Sequence, residues 1–96
     1  ALGHFKGLTD LLTDLAAGGF PPSGITLESE QDFSVPLLEG FYLKASYGES
    51  AENLVKNLEL ILSSDVLKEK RDRLEYVDLR FGNRVYYKLK GEAQSE

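Results

Sequence analysis

Leu74-Glu75-Tyr76-Val77-Asp78-Leu79-Arg80-Phe81, then Gly82-Asn83, then Arg84-Val85-Tyr86-Tyr87-Lys88-Leu89-Lys90, is the stretch that decides the fold. Both arms are rich in β-branched and aromatic residues and alternate with period two, the signature of strands. In the first arm Val77, Leu79 and Phe81 share one side, and Leu74 and Tyr76 the other. In the second, Val85, Tyr87 and Leu89 are core candidates, while Arg84, Tyr86, Lys88 and Lys90 face out. Gly82-Asn83 is a two-residue connection suited to a type II′ turn, because Gly adopts the positive φ required at its first position. The stretch therefore predicts a terminal β-hairpin.

Working outward, Ala51, Leu54, Val55, Leu58, Ile61 and Leu62 form an apolar stripe at helical spacing, with Ser50 as N-cap. Asp65 is positioned to cap a short further turn, and 68–73 is a mixed-charge stretch. Upstream, Phe41, Leu43, Ala45 and Tyr47 alternate with Tyr42, Lys44 and Ser46, and Glu39-Gly40 reads as a hairpin turn. Ile25, Leu27, Phe33 and Val35 share a parity across 25–35, which predicts one half-buried strand, bent or broken near 29–32. Phe5, Leu8, Leu11, Leu12, Leu15 and Ala16 predict an amphipathic helix over 3–17. It is stopped by Gly18-Gly19 and kept from resuming by Pro21-Pro22.

The predicted order is α-β-β-α-β-β. The expected class is α+β: an antiparallel sheet of two successive hairpins with helices covering one face. Residues 1–96 make a single domain or subdomain, with 91–96 as a polar tail.

The chain carries 11 basic and 16 acidic residues, a formal net charge of −5, which disfavours nucleic acid as a partner. Cysteine is absent, which excludes disulfides and thiol chemistry. Methionine is absent too, so the chain is read as processed or as a piece of a longer protein. No run approaches the ~20 apolar residues of a membrane-spanning helix.

Chemistry is sparse. His4 is the single histidine, at the chain start, and reads as a surface residue rather than part of a catalytic triad. Glu28, Glu30 and Asp32, at period two, read as a solvated strand face rather than a cation site, and Gly18-Gly19 lacks the lysine and helix start of a phosphate loop. Glu75 and Asp78 could be an acid/base pair of an enzyme or accessory lobe. With no further catalytic group, Asp78 and Tyr76 instead read as structural, Asp78 as an ion pair or backbone tether with Arg80. No metal, cofactor or small-molecule substrate is expected.

The segment 80–90 holds four basic residues and no acidic one. A last strand with nothing after it is an edge candidate, with unpaired backbone groups that a protein must guard or use. Lys88 and Lys90 suit guarding. Tyr86, between Arg84 and Lys88, suits an interface and the addition of a partner strand. A structural lobe whose last strand is covered by other parts of a longer chain is the competing reading.

Tyr-Val-Asp-Leu-Arg-Phe at 76–81 resembles the near-terminal motif of the bacterial cell-division family FtsQ, called DivIB in Gram-positive organisms. The hairpin Leu37-Leu38-Glu39-Gly40-Phe41-Tyr42-Leu43-Lys44, the glycine loop at Tyr47-Gly48, and the helix 51–62 are similar to the family's order. The resemblance covers nearly the whole chain. It implies the C-terminal part of an extracytoplasmic β domain, on a single-pass membrane protein whose anchor lies outside this chain. It implies a non-enzymatic divisome scaffold that recruits FtsB- and FtsL-like partners by strand addition at its last strand. By position, Arg80 and Phe81 match the family's interacting Arg-aromatic pair, Phe81 lacking the hydroxyl of some members. Arg84, Tyr86 and Lys88 carry over as edge positions.

Overall fold

The computed structural model describes residues 2–82 and 84–91, with side chains from Gly7 onward; the side chains of His4 and Phe5, and Asn83 and 92–96 altogether, lie outside the described residues. Helix α1 (Leu2–Ala17) precedes strands β1 (Thr26–Leu27), β2 (Asp32–Pro36) and β3 (Tyr42–Ser46). Helix α2 (Ala51–Leu62), helix α3 (Asp65–Lys68) and a 3-10 turn (Arg71–Arg73) then lead to β4 (Leu74–Phe81) and β5 (Arg84–Leu89).

The class is α+β, but the sheet is mixed: five strands in the order β1-β2-β3-β4-β5, antiparallel except where β3 runs parallel to β4. Two antiparallel hairpins side by side were expected. The helix stripe explains the difference. Leu54, Leu58 and Leu62 must lie against the sheet, and α2, roughly 18 Å long, carries the chain back along it. β4 then starts beside the start of β3, with Tyr42 opposite Tyr76 and Lys44 opposite Asp78.

A second correction concerns 25–35. The break near 29–32 is a complete reversal: β1 folds back on β2, with Thr26 opposite Ser34 and Leu27 opposite Phe33. Ser29 Oγ accepts from the amides of Gln31 and Asp32 and closes the turn. The reversal keeps the shared parity, since Leu27 stands opposite Phe33 and on the same face, but β1 is the outermost strand of the sheet. Phe33 and Val35 enter the core, whereas Leu27 is 64% exposed.

α1 ends as the two glycines dictate. Gly19 has φ +93°, the Gly19 amide donates to Ala16 O, and the Phe20 amide reaches back to Leu15 O at 2.8 Å. That is the paired hydrogen bonding of a Schellman stop, and buried Phe20 and Leu15 supply its apolar contact. At the start of α2, Ser50 Oγ accepts from the Asn53 amide at 3.1 Å. The cap of α3 is Ser64, not Asp65: Ser64 Oγ accepts from the Leu67 amide.

Leu11 and Leu15 of α1 and the α2 stripe share one core with Phe33, Val35, Leu43, Ala45, Val77, Leu79 and Leu89. Val85 and Tyr87 pack at its margin, while Ala16 is exposed. Two ties fix the ends of the sheet. Arg71 forks onto Glu39 of the β2–β3 turn (Nε–Oε2 2.7 Å, Nη2–Oε1 2.8 Å), and Asn57 of α2 donates to Gly82 O.

β4 departs twice from simple alternation. Leu74 faces Leu89 and Tyr76 faces Lys88, so Glu75 is an extra residue; another is inserted between Asp78, facing Tyr86, and Phe81, facing Arg84. Each bulge flips the parity beyond it. Leu74, expected beside Tyr76, is therefore in the core, and Phe81, expected with Val77 and Leu79, is 50% exposed.

Candidate functional site

The face of the sheet turned away from the helices is built from the residues the core alternation leaves over. One row crosses all five strands: Thr26, Ser34, Lys44, Asp78, Tyr86. A neighbouring row is Pro36, Tyr42, Tyr76, Lys88. These side chains pair mainly with one another. The Tyr42 and Tyr76 rings lie 5.5 Å apart, and the Lys44 ammonium sits 3.9 Å from the Tyr76 centroid. Glu28 Oε2 accepts from Ser34 Oγ at 2.8 Å, and Asp32 Oδ1 from Ser46 Oγ at 2.6 Å. Burial raises the Tyr42 hydroxyl above its ordinary pKa, so it stays protonated at neutral pH.

Asp78, 5% exposed, makes both contacts that its sequence setting left open. Its Oδ1 accepts from the Arg80 backbone amide at 3.2 Å, and its two oxygens take Arg80 Nε and Nη2 at 2.9 and 2.7 Å. The remaining Arg80 nitrogen reaches Asp32 on β2 at 3.3 Å, bridging over β3. These hydrogen bonds, led by Asp78, raise the Arg80 pKa further above its already high value. Arg80 is thus a strut of the sheet face whose side chain is still 30% exposed.

β5 is a terminal strand of the sheet. Phe81 and Tyr86 meet edge to face at 5.4 Å at the hairpin end, both exposed, with the Arg80 guanidinium 5.4 Å from the Phe81 ring. Of the basic residues along this edge, Lys88 is paired with Glu75 at 3.2 Å, whereas Arg84 and Lys90 are exposed. The structure therefore gathers Arg80, Phe81 and Tyr86 into one patch, with Arg84 beside it on the hairpin and Lys88 further along the strand. Tyr76 lies under Lys44 in the middle of the face.

Two features escaped sequence reading. A hollow of about 430 Å³ opens on the sheet face, lined by Thr26, Glu28, Asp32, Tyr42, Lys44 and Arg80. Forming it depends on the β1 reversal and on parallel pairing of β3 with β4, neither of which leaves a local signal. The other is the second sheet edge, β1, with Leu27 and Ile25 exposed. Glu28, Glu30 and Asp32 do not act as one row: Glu28 and Asp32 serve Ser34, Ser46 and Arg80, and no metal-binding cluster occurs among the described residues.

No protein-family model matches this chain, and no curated protein does. Among the described residues no helix is long and apolar enough to cross a membrane.

Proposed function

We propose that this chain is a non-catalytic protein-interaction domain that takes an extended segment of a partner onto β5. The observation that carries the reading is the position of β5 at the sheet edge, with Tyr86 and Phe81 exposed beside it. Backbone groups of the added strand would supply affinity, and the ring pair with its flanking cations would supply selectivity. Together with the Tyr-Val-Asp-Leu-Arg-Phe resemblance, this makes the domain part of a bacterial divisome scaffold. It would recruit FtsB- and FtsL-like partners during septum formation, at the extracytoplasmic face of the cell membrane. Arg80, Phe81, Arg84, Tyr86 and Lys88 are the proposed contact residues; Asp78 and Tyr76 hold the sheet behind them.

The test is co-purification of the chain with the extracytoplasmic region of an FtsB-like protein, compared with a Phe81→Ser, Tyr86→Ser variant. Retention by the wild type and loss in a folded variant is expected. Equal retention by both would sink the edge as the contact site.

An accessory or structural lobe of a larger enzyme or envelope protein is the second reading. It is favoured by the β1 edge, whose exposed Leu27 and Ile25 offer a surface for neighbouring polypeptide. Protection of β5 amides from exchange in the longer protein without partner would favour it over strand addition.

A further inference from the structure

The sheet has two free edges, and they differ in charge. At one, residues 23–31 are all exposed, and Glu28 and Glu30 follow Leu27 of β1. At the other, Arg84 and Tyr86 of β5 are exposed. Among the described residues no carboxylate pairs with Arg84 and no cation with Glu28, whose hydrogen bond from Ser34 Oγ leaves its charge uncancelled. On the helix side of β5 a hollow of about 270 Å³ is lined by Val85 and by Asn57, Leu60 and Ile61 of α2, with Leu60 exposed.

The strand directions decide how these edges can meet. Successive pairings from β1 to β5 are antiparallel, antiparallel, parallel and antiparallel, so β5 runs opposite to β1. A second copy in the same orientation, displaced by the width of the sheet, therefore sets its β1 antiparallel to β5 with its helices on the same side. Leu27 stands opposite Phe33 and so faces that side, as Val85 does. With Leu27 opposite Val85, antiparallel counting puts Glu28 opposite Arg84 and Thr26 opposite Tyr86.

We propose that the β5 edge takes β1 of a second copy of this chain, extending the sheet head to tail in that register. Leu27 of the second copy fills the hollow beside Leu60, Ile61 and Val85, which removes two exposed apolar surfaces from water. The Glu28 carboxylate meets the Arg84 guanidinium, since residues directly opposite bring their Cβ atoms to about 4.5–5.5 Å. Both two-fold alternatives oppose like charges: Arg84 and Lys88 where β5 meets β5, Glu28 and Glu30 where β1 meets β1. The contact joins two different patches, so the series is open-ended rather than closed at two copies. A partner strand and a second copy exclude one another on β5, and pairing of copies needs no partner.

Sedimentation equilibrium from micromolar to millimolar chain, with amide spectra at both ends of the range, tests this. The average mass is expected to rise past that of two copies, with shifts in 25–28, 84–87 and 60–61. Glu28→Arg and Arg84→Glu, both at exposed sites, should each weaken association about three- to tenfold at low ionic strength. An equimolar mixture of the two variants should recover it, because each variant's edges then meet opposite charge. A mass that stays at one copy throughout would overturn the proposal. So would a series that stops at two copies with shifts on a single edge. Variants that weaken association without recovery on mixing would overturn the pairing of Glu28 with Arg84.

Discussion

Arg80 grips Asp78, its neighbour but one on β4, with two guanidinium nitrogens at 2.9 and 2.7 Å, while its own backbone amide donates to the same carboxylate. A bidentate pair within one strand stiffens the chain at a bulge, and the Asp32 contact extends that stiffness to β2. Asp78→Ala removes a nearly buried acceptor and leaves the guanidinium with Asp32 alone. It should lower stability by about 2 kcal/mol, less than a fully buried pair would cost because Arg80 is partly solvated. Chemical denaturation reads the loss. In a double-mutant cycle, Arg80→Ala should cost little once Asp78 is gone; full additivity would mean that the pair is not coupled.

Gly19→Ala tests the helix stop. The φ of +93° at Gly19 is one that L side chains resist, so the variant should lose about 1 kcal/mol. Gly48→Ala serves as control, since Gly48 has no positive φ and open space around its would-be Cβ. Equal thermal midpoints for the two variants would contradict the Schellman assignment.

Leu58→Ala probes the core. Leu58 is fully buried in the α2 stripe, and its truncation should cost about 3 kcal/mol through lost burial and the cavity left behind. Leu60→Ala, on the exposed side of the same helix, should fall within about 0.5 kcal/mol of wild type. Comparable losses at both sites would mean that α2 presents a different face to the sheet.

The contrast between elements shows what the sequence could say. The α2 stripe, the Ser50 cap, the glycine stop of α1 and the alternation of β5 were legible because each is a local pattern answering a local physical demand. The parallel β3–β4 pairing was not, because it follows from where a whole crossover delivers the chain. Phe81 was misplaced because period-two reading assumes an unbroken strand and a bulge before it breaks the count, whereas Leu27 keeps the face of Phe33 opposite it and is exposed because β1 is the outermost strand. The edge residues Arg84, Tyr86 and Lys88 were legible as a pattern. That Glu75 occupies Lys88 was hidden, since the bulge that brings them together leaves no mark on composition.

Phe81→Ser with Tyr86→Ser should separate stability from binding. Both rings are substantially exposed and meet edge to face, so the double variant should lose no more than about 1–1.5 kcal/mol in folding. A much larger loss in denaturation would mark the pair as a structural cap on the hairpin rather than a contact surface.

The most direct measurement is an amide-resolved titration of the chain with a strand-length acidic peptide, read together with hydrogen exchange along β5. Strand addition predicts shifts concentrated in 80–90 and new protection of outward-facing β5 amides, absent from β1. Saturable binding whose shifts fall on β1 or the sheet-face hollow, with β5 exchange unchanged, would contradict it.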